Sequence, residues 1–304
     1  MRKVKIRLPA TITNPGPGVS GMALALSLYT TVEIFERSDD KLVVETSGEG
    51  AGHYSVGLRH PIVLGMIRLF QRLERAPLGI QINVDNRIPI TAGLGAEAAF
   101  FLAGAIGANN LLGSPFTRTQ VLEIAARAAG SPESVVAAIF GGLATGVMNG
   151  DELIHHPLKL AAMQIIIVLP ELEHYAERTK AAMPEKVLLR DALHNLSRIP
   201  LLIAALQEGN LELLRQVMDD RLRVPFLTSH IPGYDHVLEM ARRSGAQAIS
   251  LSGNGPALMI FAKKDHDELA QTIKTAFENV GVKARSWVLP VDTQGVVISA
   301  SGSM

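Results

Sequence analysis

A glycine-rich loop between a predicted strand and a predicted helix constrains this chain more than any other segment. The loop, residues 89–99, reads Pro-Ile-Thr-Ala-Gly-Leu-Gly-Ala-Glu-Ala-Ala. Apolar and polar residues alternate from Ile80 to Val84, which predicts a strand that ends near Asn86. Residues 98–112 are rich in Ala, Phe, Leu and Gly, as is typical of a buried helix. Because glycine lets the backbone approach an anion and the first amides of a helix lack partners, this order predicts a phosphate-binding loop.

Composition excludes several classes of protein. The 304 residues include 29 basic and 29 acidic side chains, so the chain lacks the basic excess expected of a nucleic-acid-binding protein. It has no cysteine, which excludes disulfides and thiolate metal sites. No apolar run reaches the ~18 residues of a membrane span, and the N-terminus lacks the apolar core of a signal peptide. We therefore expect a cytoplasmic protein with no membrane or nucleic-acid partner.

The pattern of strands and helices predicts an α/β or α+β protein in two halves. Strands are expected within residues 1–50, and helices over 58–76, 118–129 and 131–140. Ser131 before Pro132 is a typical pair of N-cap and first helical residue. The second half is expected to contain strands at 164–169, 248–250, 257–261, 287–289 and 296–298, and helices at 172–183, 186–208, 210–222, 232–244 and 265–280. Three arginines in or beside these helices are expected at the surface or in ion pairs: Arg198, Arg221 and Arg223.

Two further glycine-rich segments accompany the phosphate loop. The first motif, residues 9–18, reads Pro-Ala-Thr-Ile-Thr-Asn-Pro-Gly-Pro-Gly, and the third motif, residues 251–257, reads Leu-Ser-Gly-Asn-Gly-Pro-Ala. In this order the three segments resemble the signature motifs of the GHMP small-molecule kinases, and most of all those of homoserine kinases. The resemblance covers essentially the whole chain. It implies an α+β fold with a ribosomal-S5-like N-terminal domain, residues 1–155, and a ferredoxin-like C-terminal domain, residues 156–304.

The resemblance also implies an activity and a set of site residues. It implies that ATP, with Mg²⁺, donates a phosphoryl group to the hydroxyl of a small molecule, mostly through positioning of the reactants. A homodimer is also consistent with the family. The implied nucleotide-binding residues are Pro89, Gly93, Leu94, Gly95, Ala96, Glu97, Ala98, Ser252, Gly253 and Gly255. The implied substrate-binding residues are Asn14, Ser20, Ser134, Arg178 and Lys180.

Two positions that the family uses for metal are changed in this chain. The family's phosphate loop has two serines where this chain has Ala96 and Glu97, and the family's metal-holding glutamate falls at Ala129. One interpretation is that Glu97 replaces the lost glutamate as an oxygen ligand of Mg²⁺. The other is that Glu97 repels nucleotide, or serves only to interact with the helix dipole. The sequence leaves both interpretations open.

The substrate positions are changed as well. The family's Phe-Asp-Ser, whose aspartate takes the substrate ammonium, is Val19-Ser20-Gly21 here, and the arginine of its Pro-Tyr-Arg is Leu227. A further arginine of the family is replaced by Lys180 in this chain. The family's Gly-His-Pro-Asp-Asn stretch is changed too, and its histidine, aspartate and asparagine are replaced by Ser131, Glu133 and Ser134. Because losing a buried charged contact costs ~2–5 kcal/mol, we expect homoserine to bind poorly. The resemblance, taken with these changes, implies a kinase for homoserine or a less charged alcohol. The alternative is a catalytically impaired homologue that binds a ligand or partner.

Overall fold

The structure is a computed structural model that describes residues 2–301, in which eleven strands and ten helices form two sheets with packed helices. The strands are β1 Lys3–Thr13, β2 Met22–Arg37, β3 Leu42–Gly48, β4 Gly79–Asn86, β5 Leu143–Asn149, β6 Glu152–Leu158, β7 Gln164–Pro170, β8 Ala248–Leu251, β9 Leu258–Phe261, β10 Ala284–Pro290 and β11 Val297–Ser301. The helices are α1 Pro61–Leu73, α2 Ala96–Leu111, α3 Arg118–Ala129, α4 Pro132–Phe140, α5 Tyr175–Ala182, α6 Leu189–Glu208, α7 Leu211–Val217, α8 Val224–Thr228, α9 Tyr234–Arg243 and α10 His266–Asn279.

The first sheet is built around the long strand β2. The sheet runs in the order β11-β1-β2-β4-β3, and a β5–β6 hairpin pairs with the beginning of β2. Only β3 and β4 are parallel among the described pairs, and the connection between them contains α1, as a parallel crossover requires. Helices α2 and α4 pack over this sheet, where both contact β1 and β2, and α1 packs on α2. The start of α2, and with it the phosphate loop, therefore lies at the end of a buried strand.

Strand β2 agrees with one of the two structures expected for its first part, but it is longer than expected. The apolar run from Met22 to Leu28 could continue as strand or short helix, with a separate strand at Val32–Ile34. The structure has one strand of 16 residues. Its first part pairs with β5 and its second part with β4, so two partners hold one continuous backbone.

The second sheet has four antiparallel strands in the order β10-β7-β9-β8. Helix α10 packs against β7 and β10, and α9 packs against α10. The other face of the sheet belongs to the core that contains the first sheet and helices α6 and α7. The α+β class expected from the sequence is confirmed by these two mixed layers. Within residues 2–301, no helix has both the length and the apolar character that crossing a membrane would need.

The expected division between residues 155 and 156 falls inside strand β6, which pairs with β5 as far as Leu158. The last strand, β11, also belongs to the first sheet, because it pairs with β1 from Lys3↔Ser301 to Arg7↔Val297. We therefore propose a boundary after residue 158, with β11 assigned to the N-terminal unit. A single domain boundary cannot describe this arrangement, because the final strand pairs with the first.

His60 begins helix α1 and is buried beside two aromatic rings. Its Nδ1 accepts a hydrogen bond from the Ile62 amide at 3.2 Å, which caps the helix. The ring centroids of Tyr54 and Phe100 lie 5.4 and 5.8 Å away, and the side chain is 1% exposed. Burial lowers the pKa of His60 from 6.5 to about 4. Because Nδ1 accepts the capping hydrogen bond, protonation of this nitrogen would break the bond from the Ile62 amide.

We expect His60 to make the protein acid-sensitive. An unfolded chain takes up this proton near pH 6.5, whereas the folded chain resists it down to about pH 4. The free energy of unfolding should therefore fall by about 3 kcal/mol as the pH drops from 6.5 to 4, and should be fully recovered above pH 6.5. Urea titrations of wild type and His60→Asn across this range test the point, since asparagine keeps a cap acceptor without titrating. His236→Asn, at an exposed histidine, is the control. Equal pH slopes for wild type and His60→Asn would contradict the expectation.

Candidate active site

The phosphate loop presents backbone amides that have no internal partner. Gly93 and Gly95 have φ values of +80° and +73°, in the left-handed region that glycine adopts without strain. The amides of Gly93, Leu94 and Gly95 donate to no backbone carbonyl among residues 2–301. Gly95 is the N-cap residue of α2 and offers no side-chain cap, so the first amides of the helix are also left without an internal acceptor. This arrangement is an anion-binding site by its backbone alone.

The third motif packs so closely on the phosphate loop that the two backbones are in contact. The Ser252 hydroxyl donates to the Gly93 carbonyl at 2.6 Å. A Cβ on Gly93 would lie 1.9 Å from the Ser252 carbonyl oxygen, so only glycine permits this approach. A Cβ on Gly255 would likewise lie 2.1 Å from the Ala92 carbonyl carbon. The glycines of the two motifs are therefore required for their mutual packing.

The first motif and helix α4 meet the loop from the other side. The Thr11 amide donates to the Leu94 carbonyl at 3.0 Å. The hydroxyls of Thr11 and Ser134 share a hydrogen bond of 2.5 Å, and both side chains are 1% exposed. A Cβ on Gly95 would lie 1.9 Å from Thr11 Oγ1. Residues far apart in the sequence are thus brought to one point at the start of α2.

These elements enclose a cavity of about 240 Å³ at the start of α2. A wider cavity of about 760 Å³ shares His53 and Thr91 with it and continues along the second sheet toward Lys283. Burial, with a smaller contribution from the Glu97 charge, raises the pKa of Tyr54 to about 12, so this phenol stays neutral. The smaller cavity is lined by Thr13, His53, Tyr54, Pro89, Thr91, Gly93, Leu94, Gly95, Ala96, Glu97, Ala98, Ala129, Ser131, Ser134, Gly253 and Asn254.

Glu97 lies in the first turn of α2 and lines the cavity with an exposed side chain. Within residues 2–301 no group of three or more His, Cys, Asp or Glu side chains could enclose a metal ion. Mg²⁺ is usually held by one or two carboxylates together with water and substrate phosphates, so a single carboxylate suits this ion. Glu97 therefore fits Mg²⁺ brought by a nucleotide, and does not fit a metal held by protein alone.

Glu133 is a buried carboxylate at the start of α4. It is 5% exposed and accepts a hydrogen bond from the Ser131 hydroxyl at 2.8 Å. Burial raises the pKa of Glu133, against the smaller opposing effects of this hydrogen bond and of the Arg223 charge. Ser131 occupies the N-cap position as expected, but its side chain makes no capping bond because it donates to Glu133 instead.

The substrate-binding residues expected from the resemblance fall in different places. Ser134 lines the cavity, and the Asn14 side-chain oxygen accepts from the Ser20 amide at 2.6 Å, just beyond it. Arg178 and Lys180 lie exposed on α5 and line neither cavity described above. Leu227 is 0% exposed in the apolar core of the second unit. The structure thus places Ser134 in the cavity and Asn14 next to the cavity-lining Thr13, with Ser20 bonded to Asn14, and leaves the two cations of α5 in solvent.

Sequence reasoning missed several residues of the site. Arg223 was expected at the surface or in an ion pair, and it is ion-paired but buried, at 3% exposed. Thr11 and Thr13 belong to the first motif, whose threonines were not singled out. Tyr54 follows a run of glycines at positions 48, 50 and 52, a turn-rich pattern that could have indicated a loop over the cavity.

Comparison with known families agrees with this architecture. The family described as GHMP kinases N terminal domain matches residues 61–142, which contain the phosphate loop. The family described as GHMP kinases C terminal matches residues 202–282, which contain the third motif. The chain belongs to the GHMP kinase family.

Within this family, the chain is similar to homoserine kinases along nearly its whole length. It is 31% identical to a homoserine kinase of Moorella thermoacetica over 294 residues, 96% of this chain and 99% of the relative. It is 30% identical to one of Carboxydothermus hydrogenoformans, covering 92% of each. The solved structure of a homoserine kinase from Cytophaga hutchinsonii shares the fold with a TM-score of 0.86 at 23% identity, over 98% of this chain and 97% of that one. The two-domain fold expected from the three motifs is confirmed.

Proposed function

We propose that this protein is an ATP-dependent kinase of the homoserine kinase type, which transfers a phosphoryl group to the hydroxyl of a small molecule. The observation that carries the proposal is the set of unpartnered amides from Gly93 to the start of α2, which face a cavity closed by the first and third motifs. Anionic phosphates bind such amides and the positive end of the helix dipole without any charged side chain. The names of the relatives support the same class of reaction.

The chain's own residues would act chiefly by orientation. The loop amides would hold the phosphates of ATP, and Ser252 would keep the loop in shape through its bond to Gly93. Mg²⁺, held by the phosphates and Glu97, would neutralise charge that develops during transfer. The side-chain oxygen of Asn14 already accepts a hydrogen bond from the Ser20 amide. The NH₂ group of Asn14 can therefore donate a hydrogen bond to the substrate hydroxyl that receives the phosphoryl group.

We infer that the acceptor is homoserine or a less charged alcohol. Two cationic positions that the family resemblance assigns to the substrate lie away from the cavity, since Lys180 is exposed and position 227 is a buried leucine. Ser20 replaces a carboxylate that would take an ammonium group. A polar, weakly charged acceptor therefore suits the described surroundings better than a zwitterion does.

A screen of ATP turnover with Mg²⁺ across homoserine, other hydroxylated amino acids and polyols tests this function. We expect turnover with at least one acceptor, and a thermal shift with Mg²⁺-ATP corresponding to about 2.7 kcal/mol at 100 times the dissociation constant. No turnover with a clear shift would favour a nucleotide-binding homologue that lacks this activity. The absence of both turnover and a thermal shift would overturn the proposal. That result would favour a protein that binds another ligand or partner. Whether the protein forms a homodimer stays a prediction, which sedimentation would test.

A further inference from the structure

Arg223 is a buried cation at the beginning of the short helix α8. Its side chain is 3% exposed, and the carboxylate of Asp220, three residues earlier, is 0% exposed. Arginine remains protonated in proteins, so a full positive charge is kept inside the fold. Removing such a charge from water is costly, which makes its contacts informative.

The guanidinium of Arg223 joins the first motif to the third. Its Nη1 donates to the Gly253 carbonyl at 2.7 Å, and its Nη2 donates to the Asn14 carbonyl at 3.0 Å. Gly253 lines the active-site cavity, and the Gly253 amide in turn donates to the Thr13 carbonyl at 2.8 Å. One planar group thereby bridges the two motifs, beside the direct backbone hydrogen bond between them.

A second set of contacts fixes Arg223 from the opposite side. Asp220 Oδ2 lies 3.0 Å from Nη2 of Arg223. Asp220 Oδ1 accepts from the amides of Leu222 and Arg223 and from the side chain of Asn195 on α6, at 2.8, 3.2 and 2.9 Å. The guanidinium is therefore also held by a buried network that the segment between α7 and α8 forms with Asn195 of α6, outside the two motifs that it contacts.

We propose that Arg223 is a positioning residue that sets the spacing of the first and third motifs, and with it the alignment of the acceptor hydroxyl with the phosphoryl donor. The inference rests on the proposed function. Stability alone does not account for the arrangement, because a buried ion pair is often replaced by apolar residues without loss of stability. Arg223 contacts neither the phosphate-loop amides nor Glu97, so its role concerns alignment more than nucleotide affinity.

The test compares Arg223→Lys, the double variant Arg223→Met/Asp220→Asn, and Arg221→Met as a control at the neighbouring exposed arginine. Lysine keeps the charge but cannot span both carbonyls. We expect about a 100-fold fall in kcat for Arg223→Lys, since misplacement of reactants by about 1 Å has that effect, with the ATP dissociation constant within about 3-fold of wild type. Arg221→Met should leave kcat and KM near wild type.

The double variant separates positioning from stability. It removes both buried charges, and the asparagine oxygen keeps an acceptor for the amides of Leu222 and Arg223 and for Asn195. Its unfolding midpoint should therefore stay within a few degrees of wild type while kcat remains depressed. Amide exchange in residues 9–18 and 251–257 should rise in the same variant. Full recovery of kcat, or unchanged exchange in both segments, would overturn the inference. If wild type phosphorylates no acceptor, the proposed function fails by itself, and the exchange comparison still decides whether Arg223 holds the two motifs together.

Discussion

Gly93→Ala is expected to abolish measurable ATP binding, with a loss of affinity of about 100-fold or more. The new Cβ would lie 1.9 Å from the Ser252 carbonyl oxygen, a backbone atom that cannot move without displacing the third motif. Alanine would also be held at a φ of +80°, a conformation that costs about 1–3 kcal/mol. Calorimetric titration with Mg²⁺-ATP and a thermal unfolding curve measure the two effects separately.

Gly281→Ala is the matched control for Gly93→Ala. Gly281 has the same φ of +80°, but a Cβ there would meet no atom within 4 Å. This variant should show the stability cost of the backbone conformation while ATP affinity stays within about 3-fold of wild type, because nothing near the phosphate loop moves. Equal losses of ATP affinity in the two variants, or normal ATP binding by Gly93→Ala, would show that close packing of the two motifs is not required.

Glu97→Gln is expected to change ATP affinity in opposite directions with and without Mg²⁺. The carboxylate lines the cavity, so it both offers the metal a ligand and repels phosphate. With Mg²⁺, loss of the ligand should weaken ATP binding about tenfold or more, which is at least 1.4 kcal/mol. In EDTA, the repulsion between the carboxylate and the ATP phosphates is worth about 1 kcal/mol in water. Its removal should strengthen ATP binding about 5-fold.

Titrations of the wild-type protein and Glu97→Gln with ATP, in Mg²⁺ and in EDTA, measure the change in ATP affinity under each condition. Glu208→Gln, at an exposed glutamate near the end of α6, controls for the change in net charge. Stronger binding by Glu97→Gln under both conditions would mean that Glu97 only repels nucleotide. In that case the metal-ligand interpretation is wrong, and the catalytically impaired homologue becomes the better description.

The segment around the phosphate loop could be predicted because its signals are local. Alternation from Ile80 to Val84 predicted a strand ending near Asn86, and β4 is Gly79–Asn86. The helix expected from residue 98 begins at Ala96, two residues earlier. A strand and a helix of this kind are determined largely by neighbours in the sequence, so the pattern of apolar residues suffices.

Features that depend on distant partners could not be predicted in the same way. Nothing near Val32 indicates that the strand is continuous with Met22, because two different neighbours, β4 and β5, hold its two parts. The same reason applies to Arg223, whose acceptor on Asn14 lies 209 residues away. The spacing of Asp220 and Arg223 does suggest an ion pair, but spacing gives no information on burial.

The pairing of the last strand with the first has a consequence for how the protein is made. Strand β1 has β2 on one side, and its other side is covered only when β11 arrives, after all of the second sheet has been synthesised. Until then the nascent chain carries an open sheet edge, which can pair with another chain. Domains generally fold as units during synthesis, so this protein can complete its first domain only after β11 has been synthesised. Its yield in a cell should therefore depend on chaperones that shield the edge of β1.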